Sequence, residues 1–319
     1  MDEFHRILIL LPNPLGDALM ATPAIRAVRL RYPDAHIAIA GKGLVVKTLF
    51  CSDLADEAIV LGGFWQSRKL LRAGKFDLAM ICPGSFRSAA VAWLGGCSRR
   101  VGYRRDGRGI LLSDALTIPR NADGSKQVYP AIDYYLDLAA AVDAQSESKA
   151  MVLSADETAA ADLLSGAGYD PARPLVLLNP GGAFGPSKLW PMERYAQLAD
   201  RLVETHNAQI IINAAPNEQA AVAAVARAMT ATPLLDFSQR SNTLDALKAL
   251  VAAADLVVTN DTGTRHIAAA LAAAAAIIEA LMRNIILTDT IASIRCCLIS
   301  FMVHPASLTS VVRIMKSPG

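Results

Sequence analysis

The chain has 319 residues, 53% of them hydrophobic, and its 31 Lys and Arg against 29 Asp and Glu leave a net charge of +2. That length holds two ordinary domains or one large α/β domain, and so even a balance excludes a global field of the kind that gathers nucleic acid. The five cysteines, Cys51, Cys82, Cys97, Cys296 and Cys297, form neither a CxxC pair nor a secreted framework, and "MDEFHRILIL" lacks a signal-peptide n-region, so a reducing, cytoplasmic setting is expected.

The first half alternates β-branched runs with helical stretches: "RILILL", "HIAIA", "EAIVL", "FDLAMI" and "RRVGY", each followed by a helical pattern. This alternation predicts a parallel sheet wrapped by helices. Ala21, Ala24, Ile25 and Val28 fall on one helical face, and Pro33 ends it. After "LSGAGYDPARP" the pattern restarts with "LVLLNP", "QIIINAA", "PLLDF" and "DLVVTN", and Tyr195, Leu198, Ala199 and Leu202 repeat the helical spacing. Gly166, Gly168 and Pro171 mark a linker. The expected fold is α/β, two doubly wound Rossmann-like domains over residues 1–167 and 168–319, facing a central ligand cleft. The last strand, in "LVVTNDTGTRHIAAAL", breaks at an Asp-Thr-Gly turn and resumes as an alanine-rich helix. The apolar run Ile267 to Met282 contains Glu279 and is shorter than the ~20 residues of a membrane-spanning helix, so no transmembrane segment is expected.

Ligands of open α/β sheets sit at the loops that leave the carboxyl ends of the strands. In "LPNPLGDALM", Asp17 lands at the start of a helix, either as an N-cap or as a carboxylate held ionised by the helix dipole and available as a general base. In "LLNPGGAFGPSKLWP", Gly181, Gly182 and Gly185 expose backbone amides and Lys188 adds a point charge. Such a loop suits a diphosphate or is merely a turn. Neither GxxxxGK[ST] nor GxGxxG is present. Glu218 follows a strand in "INAAPNEQAA", placed to accept bonds from ribose hydroxyls or simply exposed at a helix start. Asp261, Thr262, Gly263 and His266 crowd one helical turn of an apolar stretch. A cap needs one polar residue, so the excess favours an anion site at that helix N-terminus. No D-x-D and no carboxylate–histidine cluster has ligand spacing, so no metal is expected.

These segments, "RILIL" with "GDALMATPAIRAVRLRYPDAHI", then "NPGGAFGPSKLWPMERYAQLADRL", then "LKALVAAADLVVTNDTGTRHIAAAL", resemble glycosyltransferase family 9, the ADP-heptose:lipopolysaccharide heptosyltransferases. The resemblance runs from about Arg6 to Leu271 and implies a GT-B architecture, with the acceptor on the N-terminal domain and the nucleotide sugar on the C-terminal one. It implies Asp17 as catalytic base, Lys188 on the donor phosphates, Gly181 and Gly182 beside them, Glu218 on the nucleoside, and Asp261, Thr262, Gly263 and His266 on ADP. The reaction implied is inverting transfer of heptose from ADP-heptose, without a further cofactor, to a lipopolysaccharide inner-core acceptor. Asn13, Arg87, Arg104 and Arg105 are the acceptor-side candidates. Between Ala58 and Arg108 ten basic residues, Arg108 among them, face only Asp77 and Asp106. That surplus fits an anionic lipid-linked oligosaccharide at a membrane surface, and so a cytoplasmic chain peripheral on the inner membrane.

Two features depart from the family pattern. Ala214 and Ala215 stand where glycines are usual, and after Leu271 the usual strand and G-P-T loop are expected to be missing, so that residues 272–319 form an atypical tail. From Ala280 onward Asp289 is the one acidic residue. A chain impaired by its tail would be a non-catalytic nucleotide-sugar or lipid-sugar binding protein, the alternative reading. A nucleotide-sugar epimerase ranks lower for want of a second acid/base near Asp17, and a nicotinamide oxidoreductase for want of GxGxxG.

Overall fold

A computed structural model describes residues 3–125, 127–146, 148–182 and 189–271, and the backbone of 275–278. The chain divides into two compact units, Met1–Ser154 and a second from Ala155 onward.

The first unit begins with β1 (Arg6–Leu10), whose Ile7, Leu8, Ile9 and Leu10 are all buried. A strand buried on both faces is the mark of a central parallel position. Two helices follow, α1 (Leu15–Met20) and α2 (Thr22–Arg31), broken at Ala21 where one helix was expected. Pro23 sits in the first turn of α2, where its missing N–H costs no helical bond. Ala21, Ala24, Ile25 and Val28 are buried. Then come β2 (His36–Gly41), α3 (Gly43–Phe50), β3 (Glu57–Val60), α4 (Phe64–Gly74), β4 (Leu78–Ile81), α5 (Phe86–Leu94) and β5 (Arg99–Tyr103). A short 3₁₀ turn (Arg108–Leu111), β6 (Asp114–Leu116) and α6 (Ala131–Ala140) complete it. The six strands are parallel, in the order β3-β2-β1-β4-β5-β6.

The second unit runs α7 (Glu157–Gly166), β7 (Leu175–Asn179), α8 (Met192–His206), β8 (Gln209–Ile212), α9 (Gln219–Ala228), β9 (Leu235–Asp236), α10 (Leu244–Ala253), β10 (Leu256–Asn260), α11 (Gly263–Ala270) and β11 (Ala275–Ile278). Its parallel order is β11-β10-β7-β8-β9. Tyr195, Leu198, Ala199 and Leu202 of α8 pack on Val176, Leu178, Ile210 and Ile212.

The helix α7 packs against α10 and so belongs to the second unit, which puts the break between units at Ser154/Ala155 rather than at the Gly166–Pro171 stretch, a loop inside that unit. The end of the chain also differs from expectation. The alanine-rich helix stops at Ala270, and Ala275–Ile278 forms a strand beside β10, Val257 opposite Ala275 and Asn260 opposite Ile278. The strand expected to be missing after Leu271 is therefore present. Pairing with a buried strand decides the conformation there, against the helical propensity of alanine. The rest of the atypical tail lies outside the described residues.

In each unit the strand order reverses once, between β1 and β4 and between β7 and β10. Successive connections leave those two strands in opposite directions, which opens a crevice at their carboxyl ends. The loops that carry Asp17, Gly181 and Asp261 are those loops.

Candidate functional site

In the first unit Asp17 sits in the first turn of α1, but Pro14 holds the cap position and no side chain caps the helix. The capping reading of Asp17 is not realised. Asp17 is partly buried, and loss of solvent pushes its carboxyl above the ordinary value rather than holding it low as the helix dipole alone would. Tyr135 of α6 lies close enough that, after burial and the Cys82 thiol, the Asp17 charge further raises the Tyr135 phenol.

Beside this turn, at the carboxyl ends of β1, β2 and β4, is a cavity of about 260 Å³ lined by Asn13, Lys42, Gly62, Ser85, Arg87 and Ser88 among others. Two cations and several hydroxyl and amide groups converge there, a lining suited to an anionic, hydroxylated ligand. Arg87 Nη2 donates to Gly62 O at 2.8 Å, which ties the start of α5 to the loop before α4. Arg104 and Arg105 are exposed, and neither lines this cavity. Arg104 lies across Gly109, and Arg105 packs over Gly84 with its Nε 3.5 Å from Asp106 Oδ2.

Arg108, one of the surplus cations, is fully buried. Its Nε donates to Tyr103 O at 2.7 Å, and its Nη1 donates to Pro83 O, to Ser85 O at 3.4 Å and to Ser88 Oγ at 3.3 Å. It clamps the loop after β4 to the end of β5, so this part of the basic surplus is structural. Arg99 likewise pairs with Asp114 at 3.1 Å.

In the second unit three strand runs end in asparagine; two of these side chains, Asn179 and Asn213, join Thr259 and Asn242 in a relay, and the third, Asn260, holds the neighbouring loop. Thr259 Oγ1 donates to Asn260 O at 3.0 Å, because a backbone carbonyl can only accept. The Thr259 oxygen therefore accepts Asn179 Nδ2 at 3.0 Å. Asn179 Oδ1 accepts Asn213 Nδ2 at 2.7 Å, and Asn213 Oδ1 accepts Asn242 Nδ2 at 2.7 Å. Asn260 Nδ2 donates to Pro180 O at 2.8 Å and Gly181 O at 3.2 Å, while its Oδ1 accepts Trp190 N–H at 3.1 Å. One amide thus pins both ends of the Gly181–Trp190 segment. Lys188 lies outside the described residues.

The space over the glycines is occupied. A Cβ on Gly181 would collide with the Glu218 carboxylate, and one on Gly182 would lie 2.7 Å from Leu189 Cδ2. Glu218 Oε2 also accepts Ala215 N–H at 3.4 Å. Glu218 is therefore placed at the Gly181 loop, which spacing alone did not reveal.

At α11, Thr262 stands at the cap position but its hydroxyl caps nothing. It lies 3.3 Å from both Thr259 Oγ1 and Asn179 Nδ2 instead. The Asp261 carboxylate pairs with Arg265 at 2.9 Å, and Arg265 Nη2 lies 3.2 Å from His266 Nε2. A guanidinium only donates, so His266 Nε2 accepts and the imidazole proton is on Nδ1. Burial, reinforced by the Arg265 charge and opposed by Asp261, lowers the His266 pKa to about 4. His266 is a neutral imidazole near pH 7.

Comparison with known proteins decides the family. The model of glycosyltransferase family 9 (heptosyltransferase) matches residues 64–275, well over half of the chain. The chain belongs to glycosyltransferase family 9. It is therefore a transferase of the heptosyltransferase type. Lipopolysaccharide heptosyltransferase 2 of Escherichia coli (strain K12) is 28% identical over 284 residues, covering 83% of this chain and 80% of its own. Lipooligosaccharide heptosyltransferase 2 of Haemophilus influenzae is 28% identical over 282 residues with the same coverage. The solved structure of E. coli ADP-heptose LPS heptosyltransferase II matches with a TM-score of 0.72 at 26% identity, covering 86% of this chain and 84% of that one. A family 9 glycosyltransferase from Veillonella parvula has the same fold, with a TM-score of 0.75 at 20% identity and coverage of 86% and 80%. The two Rossmann-like units are thus those of a GT-B-like enzyme.

The matched span of this family 9 chain contains the Gly181 loop and the Asp261–His266 turn, while Asp17 precedes it. The asparagine relay was not singled out from the sequence. A signal for this network was legible: "LVLLN", "QIIIN" and "LVVTN" end alike, at Asn179 and Asn213 of the relay and at Asn260, which pins the loop beside it.

Proposed function

We propose that this family 9 chain transfers heptose from ADP-heptose to an inner-core acceptor of lipopolysaccharide, with inversion at the anomeric carbon. The names of the relatives support the substrates, since lipopolysaccharide heptosyltransferase 2 is 28% identical across four-fifths of its length. The observation that carries the chemistry is Asp17, a partly buried carboxyl of raised proton affinity at the crevice of the first sheet. A base whose pKa lies closer to the working pH accepts a proton with more driving force.

In this reading the acceptor lies on the first unit, its anionic groups toward Lys42 and Arg87 of the cavity beside Asn13, with Arg104 and Arg105 on the outer side. Asp17 takes the proton of the acceptor hydroxyl as its oxygen forms a bond to the anomeric carbon. The carbon–oxygen bond to the diphosphate breaks, and its electron pair leaves with ADP. On the second unit the amides at Gly181, Gly182 and Gly263 and the Lys188 ammonium receive the growing charge. Donors placed in this way each contribute ~3 kcal/mol to the barrier. Asp261 and Thr262 hold the turn. Arg265 orients His266, whose Nδ1–H is the donor left for a phosphate oxygen. Glu218 accepts the ribose hydroxyls beside Gly181. No cofactor beyond the donor enters this scheme, and its setting is the cytoplasmic side of the membrane that carries the acceptor.

The test is turnover of ADP-heptose with a delipidated heptosyl acceptor, followed by ADP release, alongside calorimetry with ADP. Transfer with inversion supports the proposal. Binding of ADP at micromolar to millimolar concentration without transfer favours the binding-protein alternative, and no ADP binding overturns both.

A further inference from the structure

The helices α4 and α5 lie side by side on one face of the first sheet, since both of their connections run the same way, from β3 to β4 and from β4 to β5. Their outer side carries large apolar groups in water. Trp65 is 71% exposed, Trp93 51%, Phe86 49%, and Ile110 of the neighbouring 3₁₀ turn 86%. The bond from Arg87 to Gly62 brings the starts of the two helices together, so Trp65 and Phe86 share the rim at the strand carboxyl ends. The 3₁₀ turn packs on α5 and adds Ile110 to that rim. The same rim borders the cavity that Arg87 and Gly62 line.

Single exposed apolar residues are ordinary, whereas a cluster of aromatic and aliphatic side chains edged by cations marks a partner. The charges say which partner. Lys69 and Arg72 are exposed on α4, and Asp77 is the single acidic residue between Glu57 and Asp106. Asp77 is engaged at the opposite end of the sheet, where it accepts the His5 N–H at 2.8 Å and the Arg6 N–H at 3.2 Å. Near the rim Asp106 is exposed but lies 3.5 Å from Arg105, so the face is cationic on balance; with its exposed tryptophans it matches an anionic lipid headgroup region, where indole rings settle at the interface and each Lys or Arg gains from the surface potential. A protein partner of mixed charge has no such preference. Among the described residues no helix is long and apolar enough to cross a membrane.

We propose that this rim docks the chain on an anionic bilayer, with Trp65, Phe86 and Ile110 at headgroup depth and Lys69 and Arg72 against the headgroups. It rests on the reading that the acceptor is lipid-linked, and it sets the acceptor cavity next to the lipid surface.

The experiment is co-sedimentation of the full chain with phosphatidylethanolamine–phosphatidylglycerol vesicles and with phosphatidylcholine vesicles, at low and high salt. Wild type is expected to bind the anionic vesicles about tenfold more tightly, and to be released by salt. The double variant Trp65→Ser/Ile110→Ser should lose about tenfold or more in vesicle affinity, with unchanged turnover of a delipidated acceptor. Single Trp65→Ser and Ile110→Ser variants, both at exposed positions, guard against a folding defect. Equal binding to both vesicles, equal binding by variant and wild type, or a dimer that dissociates in the variant with no vesicle binding would each overturn the proposal. Vesicle binding by a chain that turns over no acceptor would support the surface and count against the transfer reading alone.

Discussion

The Asp261 carboxylate and the Arg265 guanidinium meet at 2.9 Å across one turn of α11, and the same guanidinium lies 3.2 Å from His266 Nε2. Three charged or polar groups on one exposed-to-buried turn thus have a fixed order: the carboxylate holds the cation, and the cation selects the imidazole tautomer. The polar excess in "NDTGTRH" is therefore not a redundant cap.

A pH dependence follows from the lowered His266 pKa. The unfolded imidazole binds a proton near 6.5 and the folded one near 4, so between those values the unfolded state carries more protons. Stability therefore rises with pH through this window, is fully present above about 6.5, and is lost as pH falls toward 4. The loss is at most about 3 kcal/mol for one group. Urea unfolding from pH 4 to 7 should show this slope in wild type and a flatter one in His266→Gln. Arg265→Met should move the His266 titration up in NMR, because the repelling charge goes and Asp261 remains; an unmoved titration would refute the Arg265–His266 contact.

For Asp17 the sign is the reverse, and it separates a base from a cap. A carboxyl whose folded pKa is raised costs stability once ionised, above that pKa, and the cost is relieved as pH falls to the ordinary carboxyl value of 3.8 and below. Asp17→Asn should then lower transfer ~100-fold or more, as for loss of a general base, while ADP affinity is kept and the thermal midpoint rises. The rate of wild type should fall as the pH drops through the raised Asp17 pKa. A variant that unfolds more easily would mean that Asp17 serves the helix.

Much of the fold could be read in the sequence, because strands buried on both faces are continuous apolar runs. "RILIL", "HIAIA" and "LVVTN" form strands, and the stripes Ala21–Val28 and Tyr195–Leu202 are buried. What escaped has physical reasons. Asp114–Leu116 is a three-residue edge strand with no fully buried residue, too short for a period. Ala275–Ile278 has helical composition, and its strand state comes from β10, a long-range partner. Thr262 has the right chemistry for a cap, yet Asn179 and Thr259, distant or adjacent in sequence, draw its hydroxyl into the relay. The division of the chain was misplaced because α7 owes its position to α10, some eighty residues on. The site residues were legible as types at strand ends; their partners were not, since Glu218 over Gly181 and Arg108 under Pro83 are contacts between separate loops.

That contact of Glu218 with Gly181 admits a test that needs no substrate. Gly181 has no left-handed backbone angle, so alanine is conformationally acceptable there and the sole objection is the Glu218 carboxylate where the Cβ would go. Overpacking of a rigid core costs about 1–3 kcal/mol; here the clashing carboxylate is the far end of a flexible side chain that can swing aside, so the cost lies at or below the lower end of that range. Gly181→Ala should therefore destabilise the wild-type background by that order and be nearly neutral when combined with Glu218→Ala, a coupling seen only for groups in contact. Calorimetry should show that each single variant weakens ADP: Gly181→Ala by displacing the carboxylate from the donor loop, Glu218→Ala by removing the ribose acceptor. Equal destabilisation by Gly181→Ala in both backgrounds would place the Glu218 side chain elsewhere.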